Sequence, residues 1–297
     1  MTEDVRSYYG RPVIKEPVWK AEIPFYLFTG GLAGGSSLLH GFAQIRGQHR
    51  LAKTALYVGA AADLVSPALL VADLGRPERF LNMLRVFKVT SPMSVGSWIL
   101  LVSGGSSNIA AVLRFFGVLK RVRRTAEVVS FLAGAPLATY TGVLLADTAI
   151  PVWHEARREL PWLFGASASA SAGAAATLLL PSEDAGPARR LAIAGAMTEG
   201  AVMNLMEHRL GFVGDVYKRG AAGRLARVAR ASTAAGAALL ALRGKRSRAA
   251  AIGGSALVLG GELALRWSVF RAGFQSARDP RYTVIPQRER LEQQRRR

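Results

Sequence analysis

The sequence predicts an all-α integral membrane protein, a bundle of about eight transmembrane helices with both termini on the same side of the membrane. Two observations predict this class. Half of the 297 residues are hydrophobic, and the mean hydropathy of the chain is positive. The apolar residues are also gathered into long blocks, and roughly 17–25 apolar residues are enough to cross a hydrocarbon core of about 30 Å.

Eight blocks are candidate membrane spans. They are residues 23–45, 52–72, 92–116, 126–150, 160–180, 191–206, 225–242 and 249–270. The sixth and seventh are the weakest, because the sixth contains Glu199 and the seventh begins among arginines, so counts of seven and nine stay open. A polar stretch of twenty-two residues precedes the first block and no small-residue cleavage site follows it, so we do not expect a signal peptide.

The blocks divide the chain into three parts: a polar N-terminal segment 1–22, a transmembrane helical bundle 23–270, and a C-terminal docking segment with a charged tail, 271–297. The formal charge is +19 at pH 7, and the cations stand between the blocks. Lysine and arginine at helix ends reach the lipid headgroups, so membrane lipid is an expected partner. No zinc-finger spacing, aromatic-rich strand pattern or basic recognition helix is present, so we expect no nucleic-acid partner.

The distribution of cations also predicts an orientation. With eight spans, the face that carries both termini has the larger share of lysine and arginine, which favours cytoplasmic termini in a bacterial inner membrane. The dense basic cluster LKRVRRT, residues 119–125, lies on the opposite face and weakens this preference.

Small residues are concentrated in three stretches, 30–37, 165–176 and 251–262. Lipid tails supply no hydrophobic force between helices, and glycine, alanine and serine let helix backbones approach closely. We interpret these stretches as tight helix interfaces. An inverted transporter repeat is the alternative interpretation of the first and third.

Charged residues inside the spans are the candidates for chemistry, because a charge at the bilayer centre costs about 2.5–3.5 kcal/mol on insertion scales. Asp63 lies in the middle of the second span without a partner in its own helix, and both a proton relay and an interhelical hydrogen bond stay open for it. Glu199 lies within the sixth span. Glu262 and Arg266 lie four residues apart in the eighth, and this spacing predicts a structural ion pair.

Metal and haem cofactors are not expected within this chain. Cysteine is absent, which excludes disulfides, thiolate nucleophiles and cysteine-ligated iron–sulfur clusters or zinc. A b-type haem in a bundle needs paired axial ligands inside the spans, yet only His40 of the four histidines falls within one. We therefore predict no haem, no iron–sulfur cluster and no metal site in this chain.

Five motifs in order resemble the NrfD/polysulfide reductase membrane-subunit family along nearly the whole chain. They are FYLFTGGLAGGS (25–36), DLGRPERFLNML (73–84), SPMSVGSW (91–98), YTGVLLADTAIPVW (140–153) with LPWLF (160–164), and RAGFQSARDPRYTVIPQR (271–288). The resemblance implies a membrane-anchor and quinone-binding subunit of a respiratory oxidoreductase. It implies a site for menaquinone or ubiquinone in the first four helices, a ferredoxin-like 4Fe-4S partner subunit and a molybdopterin-type catalytic subunit, formate dehydrogenase among the candidates. Electrons could pass in either direction.

The resemblance also implies site residues. Tyr140 falls where the family has a quinone-pocket tyrosine, and Tyr26 falls where some members have a quinone-contacting histidine, a departure that leaves the donor open. The predicted quinone-pocket residues are Tyr26, Tyr140, Gly34 and Gly35. The predicted proton-transfer residues are Asp63, which matches an acidic position in relatives, and Glu22 at the mouth of the first span.

The charged turn DLGRPERF and the C-terminal motif fall on the face of the termini. The resemblance implies that this face meets the iron–sulfur subunit. The predicted docking residues are Asp73, Arg76, Arg79, Arg278 and Asp279. A purely structural interpretation of the turn also stays open, in which Asp73 caps Arg76 and Pro77 stops the helix.

Two other functions compete with quinone binding. A quinone-free proton-coupled transporter or ion-translocating protein is suggested by the acids inside the spans, and it predicts helices broken at paired positions. Pro67 and Pro136 interrupt two spans, but they are not placed symmetrically in two halves. An inert membrane anchor accounts for the basic face and not for the intramembrane acids.

Overall fold

A computed structural model describes residues 13–295 except 75 and 77, and the side chains of Arg79, Leu81, Arg290 and Gln293 lie outside the described part. Within it, every regular element is a helix. The eight long helices are α1 (Glu22–Ile45), α2 (His49–Asp73), α4 (Pro92–Phe116), α5 (Lys120–Ala146), α7 (Leu160–Leu179), α8 (Gly186–Leu210), α9 (Gly220–Leu242) and α10 (Arg248–Arg278). The short helices are α3 (Arg79–Met83) and α6 (Pro151–Glu155), followed by the C-terminal helix α11 (Arg281–Arg295) and a 3-10 turn at Val213–Lys218.

The all-α class is confirmed for the described residues. Six of the long helices, α2, α4, α5, α7, α9 and α10, are long and apolar enough to cross a membrane. The other two, α1 and α8, match predicted blocks in position, and α8 is longer than its block at both ends. Glycine and serine lower the hydropathy of α1, and α8 carries Arg189, Arg190 and Glu199. Eight membrane spans therefore stay a prediction, whereas the membrane class itself is supported by six helices.

Consecutive long helices are joined alternately at the two ends of the bundle. We call the end formed by residues 13–21, 73, 74, 76, 78–91, 147–159, 211–219 and 278–295 the terminal face. The described N-terminal and C-terminal segments meet there, since Arg278 Nε donates to Glu16 Oε1 at 2.8 Å and the rings of Phe212 and Tyr282 stack at 5.1 Å. The opposite face consists of short connections, residues 46–48, 117–119, 180–185 and 243–247.

Small residues bring the helix backbones into close contact. A Cβ atom at Gly34 of α1 would lie 2.6 Å from the backbone of Gly134 and Ala138 in α5, and a Cβ at Gly35 would overlap the backbone of Ala168 in α7. Gly173 of α7 packs in the same way on Ala192 of α8. The interpretation of these stretches as tight interfaces is confirmed at these crossings.

The SPMSVGSW motif starts α4. The Ser91 side chain accepts a hydrogen bond from the Ser94 backbone nitrogen at 3.4 Å, and Pro92 follows at the first helical position, where its missing N–H costs nothing. Gly117, with φ of 70°, ends the helix. The motif therefore fixes the direction in which α4 leaves the terminal face.

The predicted pairing of Glu262 with Arg266 is an electrostatic attraction and not a direct hydrogen bond. The Arg266 guanidinium lies 3.7 Å from the centre of the Phe164 ring, and its Nη2 donates to the Phe164 carbonyl oxygen at 3.2 Å. Glu262 Oε2 instead accepts a hydrogen bond from Ser167 Oγ at 2.6 Å. Both side chains thus contact successive turns of α7, where a ring, a carbonyl and a hydroxyl are their partners.

Candidate functional site

A small apolar cavity of about 70 Å³ lies at the terminal face between α1, α2, α4 and α5. Its walls include Tyr26, Leu27, Leu70, Asp73, Met93, Ser97 and Tyr140. Trp19, which precedes α1, and Met83 of α3 complete the lining on the side of the terminal face. The four helices that were predicted to form the site thus enclose this cavity.

The structure brings together the two predicted tyrosines. Tyr26 is 2% exposed and Tyr140 is 8% exposed, and both line the cavity although 114 positions separate them in the chain (140 − 26). Neither phenol hydroxyl has a hydrogen-bond partner among the described residues. Each hydroxyl is therefore free to donate to a molecule in the cavity.

Gly96 of the SPMSVGSW motif makes room for the Tyr140 ring. A Cβ atom at position 96 would overlap that ring. This role was not predicted from the motif, although its signal is present there as a glycine one helical turn inside α4. The neighbouring Ser97 hydroxyl donates to the Met93 carbonyl oxygen at 2.8 Å and so is already bonded within its helix.

Gly34 and Gly35 do not line the cavity. Both lie more than two helical turns beyond Tyr26 along α1, at the contacts with α5 and α7 described above. Their observed contacts are with backbone, which accounts for the absence of a side chain at both positions. Their assignment to a quinone pocket stays a prediction without a contact to support it.

Asp63 is buried in the middle of α2, 2% exposed, and faces α4. Ser107 Oγ donates to its Oδ2 at 2.7 Å and Ser103 Oγ donates to the same oxygen at 3.2 Å. The interhelical hydrogen bond is therefore present. The second carboxyl oxygen, Oδ1, is buried without a partner among the described residues.

A polar contact lies between Asp63 and the cavity. Asp63 stands ten residues before Asp73, about 15 Å along the axis of α2. Ser66, three residues beyond Asp63, donates to Thr29 Oγ1 at 2.8 Å, and Thr29 Oγ1 donates to the Tyr26 carbonyl oxygen at 3.3 Å. Asp63 is therefore outside the cavity, and the Ser66 and Thr29 hydroxyls lie on the side of it that faces the cavity without a hydrogen bond to Asp63 itself.

Glu22, the other predicted proton-transfer residue, is the first residue of α1. Its Oε2 atom is buried and has no hydrogen-bond partner among the described side chains. Glu22 precedes the cavity residue Ile23 and does not itself line the cavity. It lies where α1 begins, at the terminal face.

Residues 13–21, which we call the cover segment, are held over the cavity by three contacts. Trp19 stacks on Trp153 of α6 with ring centres 5.6 Å apart, and the Lys20 backbone nitrogen donates to Asp73 Oδ1 at 2.8 Å. The Glu16 carboxylate binds both Arg278 nitrogens, and this hydrogen-bonded pair lowers the pKa of the Glu16 carboxyl. The cover segment was not predicted, and its signal in the sequence was the Trp19 side chain shortly before the first span.

The predicted docking residues lie at the terminal face, and three of them have partners within the chain. Asp73 accepts from Lys20, and Arg278 binds Glu16. Arg281 binds Asp279 and lowers the pKa of its carboxyl group. Arg76 is exposed, and the side chain of Arg79 lies outside the described part.

These features define a polytopic α-helical membrane protein with an apolar, tyrosine-lined cavity near one end of its bundle. Among the described residues, no group of three or more histidine, aspartate or glutamate side chains could hold a metal ion. The chain belongs to the polysulphide reductase NrfD family, whose profile matches residues 12–206. It is similar to a Protein NrfD homolog of Haemophilus influenzae (strain ATCC 51907 / DSM 11121 / KW20 / Rd), with 27% identity over 192 residues, covering 55% of this chain and 59% of the relative. The chain thus spans about three fifths of that relative's length.

Proposed function

We propose that this chain is the membrane-anchor and quinone-binding subunit of a multi-subunit oxidoreductase. It would exchange electrons between a 4Fe-4S partner subunit and the menaquinone or ubiquinone of the membrane. The observation that carries the proposal is the meeting of two unpartnered phenol hydroxyls, those of Tyr26 and Tyr140, in one apolar cavity. A quinone presents an apolar ring and two carbonyl acceptors, which is the complement of such walls.

The residues of the chain have separable roles in this proposal. Tyr26 and Tyr140 donate hydrogen bonds to the carbonyl oxygens, where negative charge develops as electrons arrive from the partner subunit, and donors already in position stabilise that charge. Glu22 at the terminal face and Asp63 deeper along α2 hold protons for transfer. The Ser66 and Thr29 hydroxyls, which are hydrogen-bonded to each other and to the Tyr26 carbonyl oxygen, would form the part of the route nearest the cavity.

The volume of the cavity requires movement before a ring can enter. Sites for small molecules usually have volumes of about 300–1,000 Å³, far above the 70 Å³ of this cavity. The cover segment is the removable part of the lining, because Trp19 belongs to no helix and is held by one stacking contact and its neighbours' polar contacts. We propose that the cover segment opens when quinone binds.

The terminal face is the proposed docking surface for the iron–sulfur subunit, which would relay electrons to or from a molybdopterin-type catalytic subunit such as formate dehydrogenase. The cavity lies at the same face, so a docked cluster and a bound ring would be on one side of the protein. We further propose eight membrane spans, a bacterial inner membrane location and cytoplasmic termini, the orientation that the cation distribution favours.

The experiment is purification of the chain from its native membrane in mild detergent, with mass spectrometry of the proteins and lipids that accompany it. We expect a multi-cluster iron–sulfur protein, a molybdopterin enzyme and near-stoichiometric quinone. Recovery of the chain alone and without quinone would contradict the proposal and favour a quinone-free ion-translocating protein.

A further inference from the structure

The second half of the bundle contains a buried acidic pair that the quinone site does not use. Glu199 of α8 is 4% exposed and Glu262 of α10 is fully buried. Their carboxyl groups lie close enough to interact with each other. Two ionised carboxylates repel each other and cannot hydrogen-bond, whereas one shared proton removes the repulsion and allows a hydrogen bond between them. This arrangement therefore favours at least one proton on the pair.

The charge of the surroundings favours one proton rather than two or none. Arg266 is buried beside the pair, over the Phe164 ring, and two of its nitrogens, Nε and Nη1, have no partner among the described residues. With one shared proton, the pair carries one negative charge and Arg266 carries one positive charge, so the cluster is neutral. Losing or gaining a proton leaves a net charge in a medium of low dielectric constant, which is costly.

One member of the pair can be reached from outside. A groove of about 480 Å³ lies between α8 and α9, and Glu199 lines it together with Thr233, Met197 and Arg230. Glu199 Oε2 and Thr233 Oγ1 are buried polar atoms without a hydrogen-bond partner in the described part of the chain. Glu262 does not line the groove.

The groove also has a charged end toward the terminal face. Arg230 Nη2 lies 3.3 Å from Glu207 Oε1, and Glu207 stands two turns beyond Glu199 on α8. Glu199 itself is thirteen residues from the start of α8, about 20 Å along the helix. This depth is far from the headgroups, so the group that Glu199 exchanges with the groove is a proton and not a lipid phosphate.

We propose that Glu199 and Glu262 form a one-proton binding site, separate from the quinone cavity, that exchanges its proton through the groove between α8 and α9. Glu199 is the exchanging member, because it lines the groove. Glu262 retains the proton within the pair, and Ser167 and Arg266 hold it in position. Glu207 and Arg230 lie between Glu199 and the terminal face, along the path that the proton takes. Only part of this site lies in residues 12–206, which match the family.

The test is labelling of the full-length protein in membranes with dicyclohexylcarbodiimide, an apolar reagent that modifies protonated carboxyl groups, followed by peptide mass spectrometry across a pH series. We expect Glu199 to be labelled and the labelling to fall at alkaline pH. In Glu262→Gln, the midpoint of this decline should move toward acid by about one pH unit or more, because ionised Glu199 no longer faces a second carboxylate.

Two control variants make the result specific. Met197→Leu changes the groove wall without a charge and should leave the midpoint unchanged. Glu199→Gln should abolish labelling of the α8 peptide and leave Glu262 unlabelled, which also tests the groove if Glu262→Gln fails to fold. Absence of label on Glu199 at every pH, or identical midpoints in the wild type and Glu262→Gln, would overturn the proposal. Neither readout depends on quinone turnover.

Discussion

The position of the Tyr140 ring depends on the residue that faces it. The Tyr140 ring packs directly against Gly96, where a Cβ atom would overlap it. Gly96→Ala must therefore displace the phenol from the cavity wall. If the phenol donates to quinone, we expect Gly96→Ala to lower quinone turnover roughly tenfold, the effect of losing one hydrogen bond of about 1–1.5 kcal/mol. Gly105→Ala in the same helix is the matched control, because a Cβ there meets no atom within 4 Å.

Tyr140→Phe removes the hydroxyl and leaves the ring in place. We expect a similar, roughly tenfold, loss of quinone turnover while the subunits still co-purify, because only one hydrogen bond of about 1–1.5 kcal/mol is removed. Turnover is measured with a soluble quinone analogue, and Tyr57→Phe in α2 is the control, since Tyr57 does not line the cavity. Wild-type turnover in Tyr140→Phe would remove Tyr140 from the mechanism.

Asp63→Asn separates a proton-transfer role from a structural one. The amide oxygen of asparagine can still accept from Ser107 and Ser103, so the fold should be retained. The variant cannot ionise, so we expect quinone turnover to fall by roughly 10²-fold, the lower range for acid–base groups. The control is Asp147→Asn, an exposed carboxyl at the end of α5. If the melting temperature of Asp63→Asn falls while its quinone turnover stays at the wild-type rate, the role of Asp63 is structural only.

Residue spacing predicted some of these contacts and missed others. Tyr26 and Tyr140 were identified from the motifs that contain them, and they meet. The spacing of Glu262 and Arg266 predicted the attraction between their charges. It did not predict their hydrogen bonds, because spacing along one helix says nothing about the ring, carbonyl and hydroxyl that α7 presents. The glycines of α1 could not be assigned to a cavity or an interface without knowing which helix lies against them.

At the scale of elements, the cover segment responds to pH through Glu16. Arg278 lowers the pKa of Glu16, so the contact stabilises the closed segment above the ordinary carboxyl range and is lost as pH falls through the lowered pKa. We expect hydrogen exchange in residues 13–21 to rise at acid pH, and Glu16→Gln to raise it already at neutral pH. Glu183→Gln, an exposed acid on the opposite face, is the control. Equal exchange in Glu16→Gln and the wild type would show that the stacking of Trp19 and the hydrogen bond from Lys20 to Asp73 hold the segment without Glu16.

Helix positions followed from hydropathy, whereas helix ends did not. All eight blocks correspond to long helices, yet α5 begins at Lys120, before the predicted start at 126, and α10 continues to Arg278, beyond the predicted boundary at 270. Charged residues at helix ends were excluded from the blocks because hydropathy measures the apolar middle of a span, while backbone hydrogen bonding continues past it. The short helices α3 and α6 have no hydropathy signal at all.

At the scale of the whole molecule, the distribution of sites is uneven. The family match covers residues 12–206 and so includes every helix that lines the tyrosine cavity, while α9 to α11 lie beyond it. The second half contributes Arg278 to the cover segment and contains the Glu199 and Glu262 pair. The two halves therefore meet at the terminal face, where a partner that binds there would contact both.

The charged turn before α3 gives the docking proposal a direct test. Arg76 is exposed at the terminal face, and reversing its charge should weaken association with an acidic surface of the partner while leaving the cavity, which it does not line, unchanged. We expect Arg76→Glu to retain several-fold less iron–sulfur subunit on purification, and the difference from wild type to shrink at high salt, where surface charges are screened over about 10 Å or less. Arg246→Glu, an exposed arginine on the opposite face, changes the net charge equally and should retain the partner. Equal loss in both variants would mean that total charge, and not the turn at the terminal face, governs assembly.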